Sequence, residues 1–161
     1  MKILFVCLGN ICRSPMAEGI LRHRLKEKGL VGKVTVHSAG TERYHVGRPA
    51  DPRATRTSKQ FGVDISTHKA RQVAAKDFQE YDRIYSMAVD VQEELETLAP
   101  PELKDKATLF MDLIEPGKKA SVPDPWYGDE AGFGPVYKLI DDGCKRIVEE
   151  IENNLKENRV A

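Results

Sequence analysis

The chain begins with a short apolar run, Ile3–Val6, and similar runs recur between stretches whose apolar residues are three and four positions apart. A short run without polar residues is typical of a strand buried on both faces of a parallel sheet. The first strand is therefore predicted at Lys2–Val6. Three more strands are predicted at Val34–Ser38, Arg83–Met87 and Lys106–Phe110.

Helices are predicted between the strands from apolar spacing and from residues that start or end helices. Ser14-Pro15 and Asp51-Pro52 each place an N-capping residue before a proline, which favours the start of a helix. Glycines end both of these helices, at Gly29 and Gly62. Two further helices are predicted at Val91–Leu98 and over the apolar series from Val136 to Leu155.

This alternation of strands and helices implies an α/β fold, with a small parallel sheet and helices on both of its faces. Ligands of such sheets bind at the carboxyl ends of the strands. Catalytic or ligand-binding residues are therefore expected in the turns after the four predicted strands.

Length and composition narrow the class of protein. The 161 residues fit a single domain over residues 1–161, and 40% hydrophobic with 31% charged residues is an ordinary globular composition. Lys and Arg number 25 and Asp and Glu number 25, so no overall field attracts nucleic acid or an anionic membrane. No apolar stretch is long enough for membrane insertion, and the odd count of three cysteines favours a reducing, cytoplasmic location.

The turn after the first strand, C-L-G-N-I-C-R-S-P from Cys7, runs directly into the first predicted helix. Backbone N–H groups in such a turn, together with the positive end of the helix, form a binding site for an anion. Gly9 permits a tight turn, and Arg13 offers a planar fork for two phosphate oxygens. Cys7 lies at the base of this turn, where these groups, with the Ser14 hydroxyl, favour a thiolate over a thiol.

A thiolate beneath a phosphate site indicates a nucleophile that attacks phosphorus and forms a phosphocysteine. Cys7 alone would more often be a small buried hydrophobic residue, but Arg13 and the Ser-Pro helix start favour the catalytic interpretation. A nucleotide-binding P-loop is disfavoured because no Gly-Lys-Ser/Thr follows. A zinc site is disfavoured because Cys7 and Cys12 are not spaced as C-x-x-C, which leaves only Cys144 as a third thiol.

A second cluster, V-P-D-P-W-Y-G, follows the fourth predicted strand and places Asp124 between two prolines. Asp124 is a candidate general acid for a phenolate leaving group and then a base for water, and Trp126 and Tyr127 are candidates to flank an aromatic substrate. The alternative is a proline-stiffened surface turn with Asp124 as an N-cap. The loop alone favours neither interpretation.

Together these blocks resemble the low-molecular-weight protein tyrosine phosphatase family. The resemblance also includes S-A-G near Ser38, V-G-R-P-A-D-P-R up to Arg53 and H-K-A-R-Q from His68, in the family's order and over nearly the whole chain. It implies a flavodoxin-like three-layer fold with a four-stranded parallel sheet. It also implies phosphotyrosine-containing proteins as substrates, phosphate and other oxyanions as inhibitors, and neither a metal nor another cofactor.

The same resemblance implies roles for individual residues. Cys7 matches the nucleophile, Arg13 the phosphate clamp and Asp124 the proton donor. Cys12 matches a thiol that forms a reversible disulfide with the nucleophile, which makes the enzyme redox-regulated. The remaining site positions are the phosphate-binding and pocket residues Leu8, Gly9, Asn10, Ile11, Ser14, Tyr44, Trp126 and Tyr127, and the supporting residues Ser38 and His68, which help Asn10 to hold the loop.

The sequence departs from the family pattern at three positions. Ala88 stands where members often carry Asp, Trp126 stands where they often carry Tyr, and Tyr44 stands where some carry Trp. The sequence fits three other functions less well. Phosphoarginine hydrolysis is disfavoured because relatives with that activity carry Thr at the position of Ile11. Thiol-based arsenate reduction needs two further neighbouring cysteines, and a silent phosphate-binding module would not need the candidate acid Asp124.

Overall fold

Four parallel strands form one sheet in the order β2-β1-β3-β4, in a computed structural model that describes residues 1–160. Ala161, the last residue of the predicted domain, lies outside the described residues. The strands are β1 (Lys2–Cys7), β2 (Thr35–Gly40), β3 (Arg83–Ser86) and β4 (Ala107–Leu109). The central strand β1 is paired with β2 from Lys2↔Thr35 to Cys7↔Gly40 and with β3 from Ile3↔Arg83 to Val6↔Ser86.

Between residues 1 and 160, five α-helices connect or follow these strands. They are α1 (Arg13–Glu27), α2 (Pro52–Gln60), the short α3 (Asp77–Glu80), α4 (Val89–Leu98) and α5 (Phe133–Val160). Within the described residues, no helix is both long and apolar enough to cross a membrane.

Two buried clusters cover the two faces of the sheet, and β1 contributes to both because its side chains alternate. Ile3, Phe5 and Cys7 belong to the cluster that includes residues of α1, α2 and α5. Leu4 and Val6 belong to the other cluster, which includes residues of α3 and α4. The predicted α/β fold with helices on both faces is therefore confirmed, and the strand order is that of a flavodoxin-like sheet.

Helix ends agree with the sequence signals in three of four cases. Asp51 is the N-cap of α2 and accepts a hydrogen bond from the backbone N–H of Arg53. Gly29 and Gly62 follow the ends of α1 and α2, with left-handed φ angles of 69° and 83°. The prediction of Ser14 as an N-cap was wrong: α1 begins at Arg13 with Cys12 as its cap residue, and the Ser14 hydroxyl instead faces Cys7.

Several boundaries shift by one to three residues, because the sheet pairing rather than the local apolar pattern decides where a strand ends. β2 extends to Gly40, beyond the predicted end at Ser38, because β1 pairs with it as far as Cys7. The sequence analysis missed α3 and the 3-10 turns such as Pro125–Tyr127. These elements are too short to show a helical spacing of apolar residues.

Candidate active site

The loop between β1 and α1 leaves the sheet where the strand order reverses, since β1 has β2 on one side and β3 on the other. This topological switch point is the usual ligand site of an open parallel sheet. The loop turns sharply at Asn10, which has a left-handed φ of 58°. Left-handed backbone is costly for residues other than glycine, so other contacts must hold Asn10 in this conformation.

Asn10 is fully buried, and its side chain satisfies both of its polar ends. The amide nitrogen donates to the Ser14 hydroxyl at 2.8 Å and to the Ser38 hydroxyl at 3.0 Å. The amide oxygen accepts from the backbone N–H of Arg71 at 2.9 Å. This side chain therefore links the loop to α1, to β2 and to the segment around Arg71.

His68 holds the same residue from the backbone side, because its Nε2 lies 2.7 Å from the carbonyl oxygen of Asn10. A carbonyl oxygen can only accept, so Nε2 carries the proton of this hydrogen bond. Ser38 in turn donates to a carboxylate oxygen of Glu18 at 2.6 Å. The predicted supporting residues Ser38 and His68 are thus brought together beneath the loop, and Glu18 joins them.

The Cys7 sulfur lies at the base of the loop and has two hydrogen-bonding neighbours. The backbone N–H of Asn10 donates to Sγ at 3.3 Å, and the Ser14 Oγ lies 3.0 Å from it. The Ser14 hydroxyl accepts from the Asn10 amide, and two acceptors lie within reach of its own proton: the Cys7 sulfur and the carbonyl oxygen of Ala39, 3.3 Å away. The two contacts to the sulfur, together with the start of α1, favour negative charge at this atom.

An anion cradle surrounds this sulfur. Within residues 1–160, the backbone N–H groups of Gly9, Ile11 and Cys12 donate to no other protein atom. Arg13 is buried, and its guanidinium donates to the carbonyl oxygen of Val122 at 3.1 Å. N–H donors in a turn, a helix start and a guanidinium are the groups that bind phosphate in proteins.

Asp124 reaches this cradle from the loop that follows β4. Its Oδ2 lies 3.5 Å from Nη2 of Arg13, and its Oδ1 accepts from the backbone N–H of Trp126 at 3.1 Å. Asp124 is therefore the N-cap of the short turn Pro125–Tyr127 and also faces the cradle. Asp124 can therefore be both a helix N-cap and a candidate general acid, because Oδ1 makes the capping contact while Oδ2 faces Arg13.

A pocket of about 190 Å³ opens above Cys7 and brings together ten of the predicted site residues with His45. Asn10 and Ser14 were also predicted to bind phosphate; both are fully buried and lie beneath the pocket with Ser38 and His68. A wider groove of about 760 Å³ reaches Ser38 and His68 from another side but does not reach Cys7. The residues that line the smaller pocket are Cys7, Leu8, Gly9, Ile11, Cys12, Arg13, Tyr44, His45, Asp124, Trp126 and Tyr127.

The other two cysteines have a different electrostatic environment. Burial, and then the negative charge of Asp51, raises the pKa of the Cys12 thiol well above its usual range. Burial likewise raises the pKa of Cys144, which is packed against α1. Both side chains are therefore thiols at neutral pH. Among residues 1–160, no group of three or more His, Cys, Asp and Glu side chains is placed to hold a metal ion.

Sequence reasoning assigned no role to Glu18 or to the backbone N–H of Arg71, both of which support Asn10. His45 also lines the pocket, and a Cβ at Gly9 would lie 2.9 Å from its imidazole. No local signal identifies Glu18, since it is one of many charged residues on α1. Arg71 lies within the recognised H-K-A-R-Q block, but there it acts through its backbone.

The family model described as low molecular weight phosphotyrosine protein phosphatase matches residues 2–158. The chain belongs to this family. A relative from Schizosaccharomyces pombe, a low molecular weight phosphotyrosine protein phosphatase, is 36% identical over 152 residues, covering 94% of this chain and 97% of the relative. This membership confirms the prediction of an enzyme of the protein-tyrosine-phosphatase class, with phosphoproteins as its class of substrate.

Solved structures agree with this assignment. A protein tyrosine phosphatase from Entamoeba histolytica, with Hepes in its active site, has a TM-score of 0.90 and 38% identity, covering 96% of this chain and 98% of that one. Wzb from Vibrio vulnificus, in complex with benzylphosphonate, has a TM-score of 0.82 and 33% identity, covering 92% of this chain and 97% of that one.

One departure from the family pattern has a local substitute. Ala88, where members often carry Asp, is the cap position of α4 and has no side chain that can accept a hydrogen bond. The hydroxyl of Ser121 accepts from the backbone N–H of Val89 at 2.9 Å instead. The first turn of α4 is therefore capped from the loop that carries Asp124.

The Asn10 contacts generate a stability prediction. Asn10→Ala removes three side-chain hydrogen bonds and keeps the left-handed backbone, so it should lower the free energy of unfolding by about 2–4 kcal/mol. Asn10→Gly removes the same bonds without the steric cost and should be about 1 kcal/mol more stable than Asn10→Ala. Urea unfolding of the two variants measures both effects. Equal stability of the two would contradict the strain argument.

Proposed function

We propose that this enzyme hydrolyses phosphotyrosine and other aryl phosphate monoesters through a phosphocysteine on Cys7. The observation that carries the proposal is the position of the Cys7 sulfur, at the base of the pocket and beneath the anion cradle, with hydrogen bonds from Asn10 N–H and Ser14. Cys12 lines the same pocket, but burial and the charge of Asp51 raise the pKa of its thiol, which disfavours Cys12 as the nucleophile.

In the first step, the Cys7 thiolate attacks phosphorus and the bond to the phenolic oxygen breaks. The equatorial oxygens bind the loop N–H groups and the Arg13 guanidinium, which stabilise the charge of the transition state. Asp124 donates a proton to the leaving oxygen. Phenol has a pKa of about 10, so protonation greatly assists its departure.

In the second step, the same Asp124 carboxylate accepts a proton from water as the water attacks the phosphocysteine. The sulfur–phosphorus bond breaks, and inorganic phosphate and the Cys7 thiolate are released. Ser14 donates its hydroxyl proton to the sulfur as negative charge returns to it. Phosphate and related oxyanions inhibit because they occupy the same cradle.

The walls of the pocket favour an aromatic substrate. Trp126 and Tyr127 line one part of the pocket, Tyr44 another, and the apolar Ile11 offers no hydrogen bond to a polar leaving group. Benzylphosphonate, bound by the Vibrio relative, is likewise an aromatic ring joined to a phosphorus oxyacid. These features support phosphotyrosine over phosphoarginine. The cytoplasmic location remains a prediction from cysteine usage.

Cys7→Ser should abolish turnover of phenyl phosphate, because a serine hydroxyl lacks the nucleophilicity of a thiolate, while binding of inorganic phosphate persists. Steady-state assays and isothermal titration calorimetry measure the two properties. Cys12→Ser is the matched control in the same pocket and should retain turnover. Normal turnover by Cys7→Ser would remove Cys7 from the nucleophile role.

Asp124→Ala should lower kcat/KM for phenyl phosphate by about 100-fold or more, and should lower it far less for p-nitrophenyl phosphate. The nitrophenolate leaves without a proton, so only the unactivated ester depends on the acid. Asp129→Ala, which changes an exposed carboxylate of the same loop, is the control and should leave both rates unchanged. Equal losses on the two esters with Asp124→Ala would rule out the acid role.

The redox regulation implied by the family resemblance is also part of this proposal. Peroxide oxidises the Cys7 thiolate to a sulfenic acid, and the sulfur of Cys12 then attacks the sulfenic sulfur. The Cys12 proton leaves with the sulfenic oxygen as water, and a Cys7–Cys12 disulfide remains. Cys12 is suited to this step because it lines the same pocket as Cys7.

Inactivation by peroxide should therefore be reversed by dithiothreitol in the wild-type enzyme, and Cys12→Ser should recover much less activity after the same exposure. Without a disulfide, the sulfenic acid of that variant is open to irreversible oxidation. Cys144→Ala, which changes a buried thiol outside the pocket, is the control. Identical recovery of wild type and Cys12→Ser would contradict the protective role.

A further inference from the structure

The loop that carries Asp124 is held at two points, one on each side of the carboxylate. Before Asp124, the backbone N–H of Val122 donates to the carbonyl oxygen of Met87 at 2.8 Å, and its carbonyl oxygen accepts from Arg13. After Asp124, the carbonyl oxygens of Trp126 and Gly128 both accept from one side chain, the guanidinium of Arg53 on α2. The distances are 3.2 Å from Nη2 to Trp126 and 3.0 Å from Nη1 to Gly128.

The same guanidinium is fixed on its other edge by Asp51. Nε of Arg53 lies 3.1 Å from Oδ1 of this carboxylate and Nη2 lies 2.9 Å from Oδ2, which is a two-point ion pair. Burial opposes ionisation of Asp51, but the hydrogen bonds from Arg53 outweigh it and hold the pKa of the carboxyl below its ordinary value. Asp51 therefore stays charged and keeps its hold on Arg53 at neutral pH.

Asp51 is also tied to the phosphate loop, because its backbone N–H donates to the carbonyl oxygen of Ile11 at 2.8 Å. Arg53 has one further partner: its guanidinium lies over the ring of Phe133 at the start of α5, 4.7 Å from the ring centroid. A planar group with ion-pair, carbonyl and aromatic partners on different sides has little freedom to rotate.

We infer that Arg53 is a positioning residue that sets Asp124 at the correct place above the cradle for proton transfer. The chain of contacts runs from Ile11 in the phosphate loop through Asp51 and Arg53 to the backbone that follows Asp124. This inference rests on the proposed role of Asp124 as the general acid. Arg53 touches neither the pocket nor the reacting atoms, so it acts only through the loop.

Lysine cannot replace arginine here, although it preserves the charge. Its ammonium group is a point donor, and it cannot span the Asp51 carboxylate and two separate carbonyl oxygens. Arg56, one turn further along α2, is the matched control because it pairs with the exposed Glu130 and makes no hydrogen bond to the backbone of residues 124–128.

The test is a comparison of leaving groups. Arg53→Met and Arg53→Lys should lower kcat/KM for phenyl phosphate about 10-fold more than kcat/KM for p-nitrophenyl phosphate, because a misplaced acid affects only the ester that needs a proton. The inhibition constant of inorganic phosphate should stay near the wild-type value in Arg53→Lys. Arg56→Gln should leave both esters unchanged.

Equal losses on the two esters, or no loss, would overturn the inference. Equal losses combined with weaker inhibition by phosphate would show that the variant disturbs the whole cradle.

A double variant tests whether Arg53 acts through Asp124. Arg53→Met in the Asp124→Ala background should add no further selective loss, since the group it positions is absent. Asp124→Ala in the same panel separates the two hypotheses. If that variant is itself unselective, the acid assignment fails; if it is selective and the Arg53 variants are not, only the positioning role fails.

Discussion

The shape of the loop between β1 and α1 depends on the hydrogen bonds of one buried residue, Asn10. Five hydrogen bonds meet at this residue, three from its side chain and two from its backbone, and they involve Cys7, Ser14, Ser38, His68 and Arg71. Each is worth about 1 kcal/mol net, whereas a buried polar group left without a partner costs about 1–3 kcal/mol. Together they exceed the roughly 1–2 kcal/mol that left-handed backbone costs, so the turn beneath the phosphate site is fixed before any ligand arrives.

The attraction that the proposed phosphate site exerts on an anion is local. The chain has no net charge, and the cradle itself is flanked by the carboxylates of Asp124 and Asp51. Each carboxylate has its own arginine: Arg13 lies beside Asp124 and Arg53 beside Asp51. Attraction for an anion therefore comes at short range, from backbone dipoles and from the Arg13 guanidinium.

Much of the fold was predictable because its signals are local. The apolar run of β1 predicted a strand buried on both faces, and Asp51-Pro52 predicted the start of α2. The meeting of Cys7, Arg13 and Asp124 was predictable because loops at the carboxyl ends of parallel strands share one edge of the sheet. Ser14 was misplaced because its hydroxyl satisfies a tertiary partner, the Cys7 sulfur, rather than the helix start. The contacts of Glu18 and Arg53 span distant segments and use ordinary charged residues, so no spacing pattern reveals them.

The loop between β1 and α1 also restricts which residue can occupy position 40, at the end of β2. Gly40 stands there, and a Cβ at this position would lie 2.8 Å from the carbonyl oxygen of Leu8 and 3.0 Å from the backbone nitrogen of Asn10. Both contacts are with backbone, which cannot swing aside as the end of a long side chain can. Gly40 carries no reactive group and lies 33 positions from Cys7 in sequence (40 against 7). A mutational scan should therefore find Gly40 intolerant for a steric reason, so intolerance alone does not distinguish residues that perform chemistry from those that leave space for the loop.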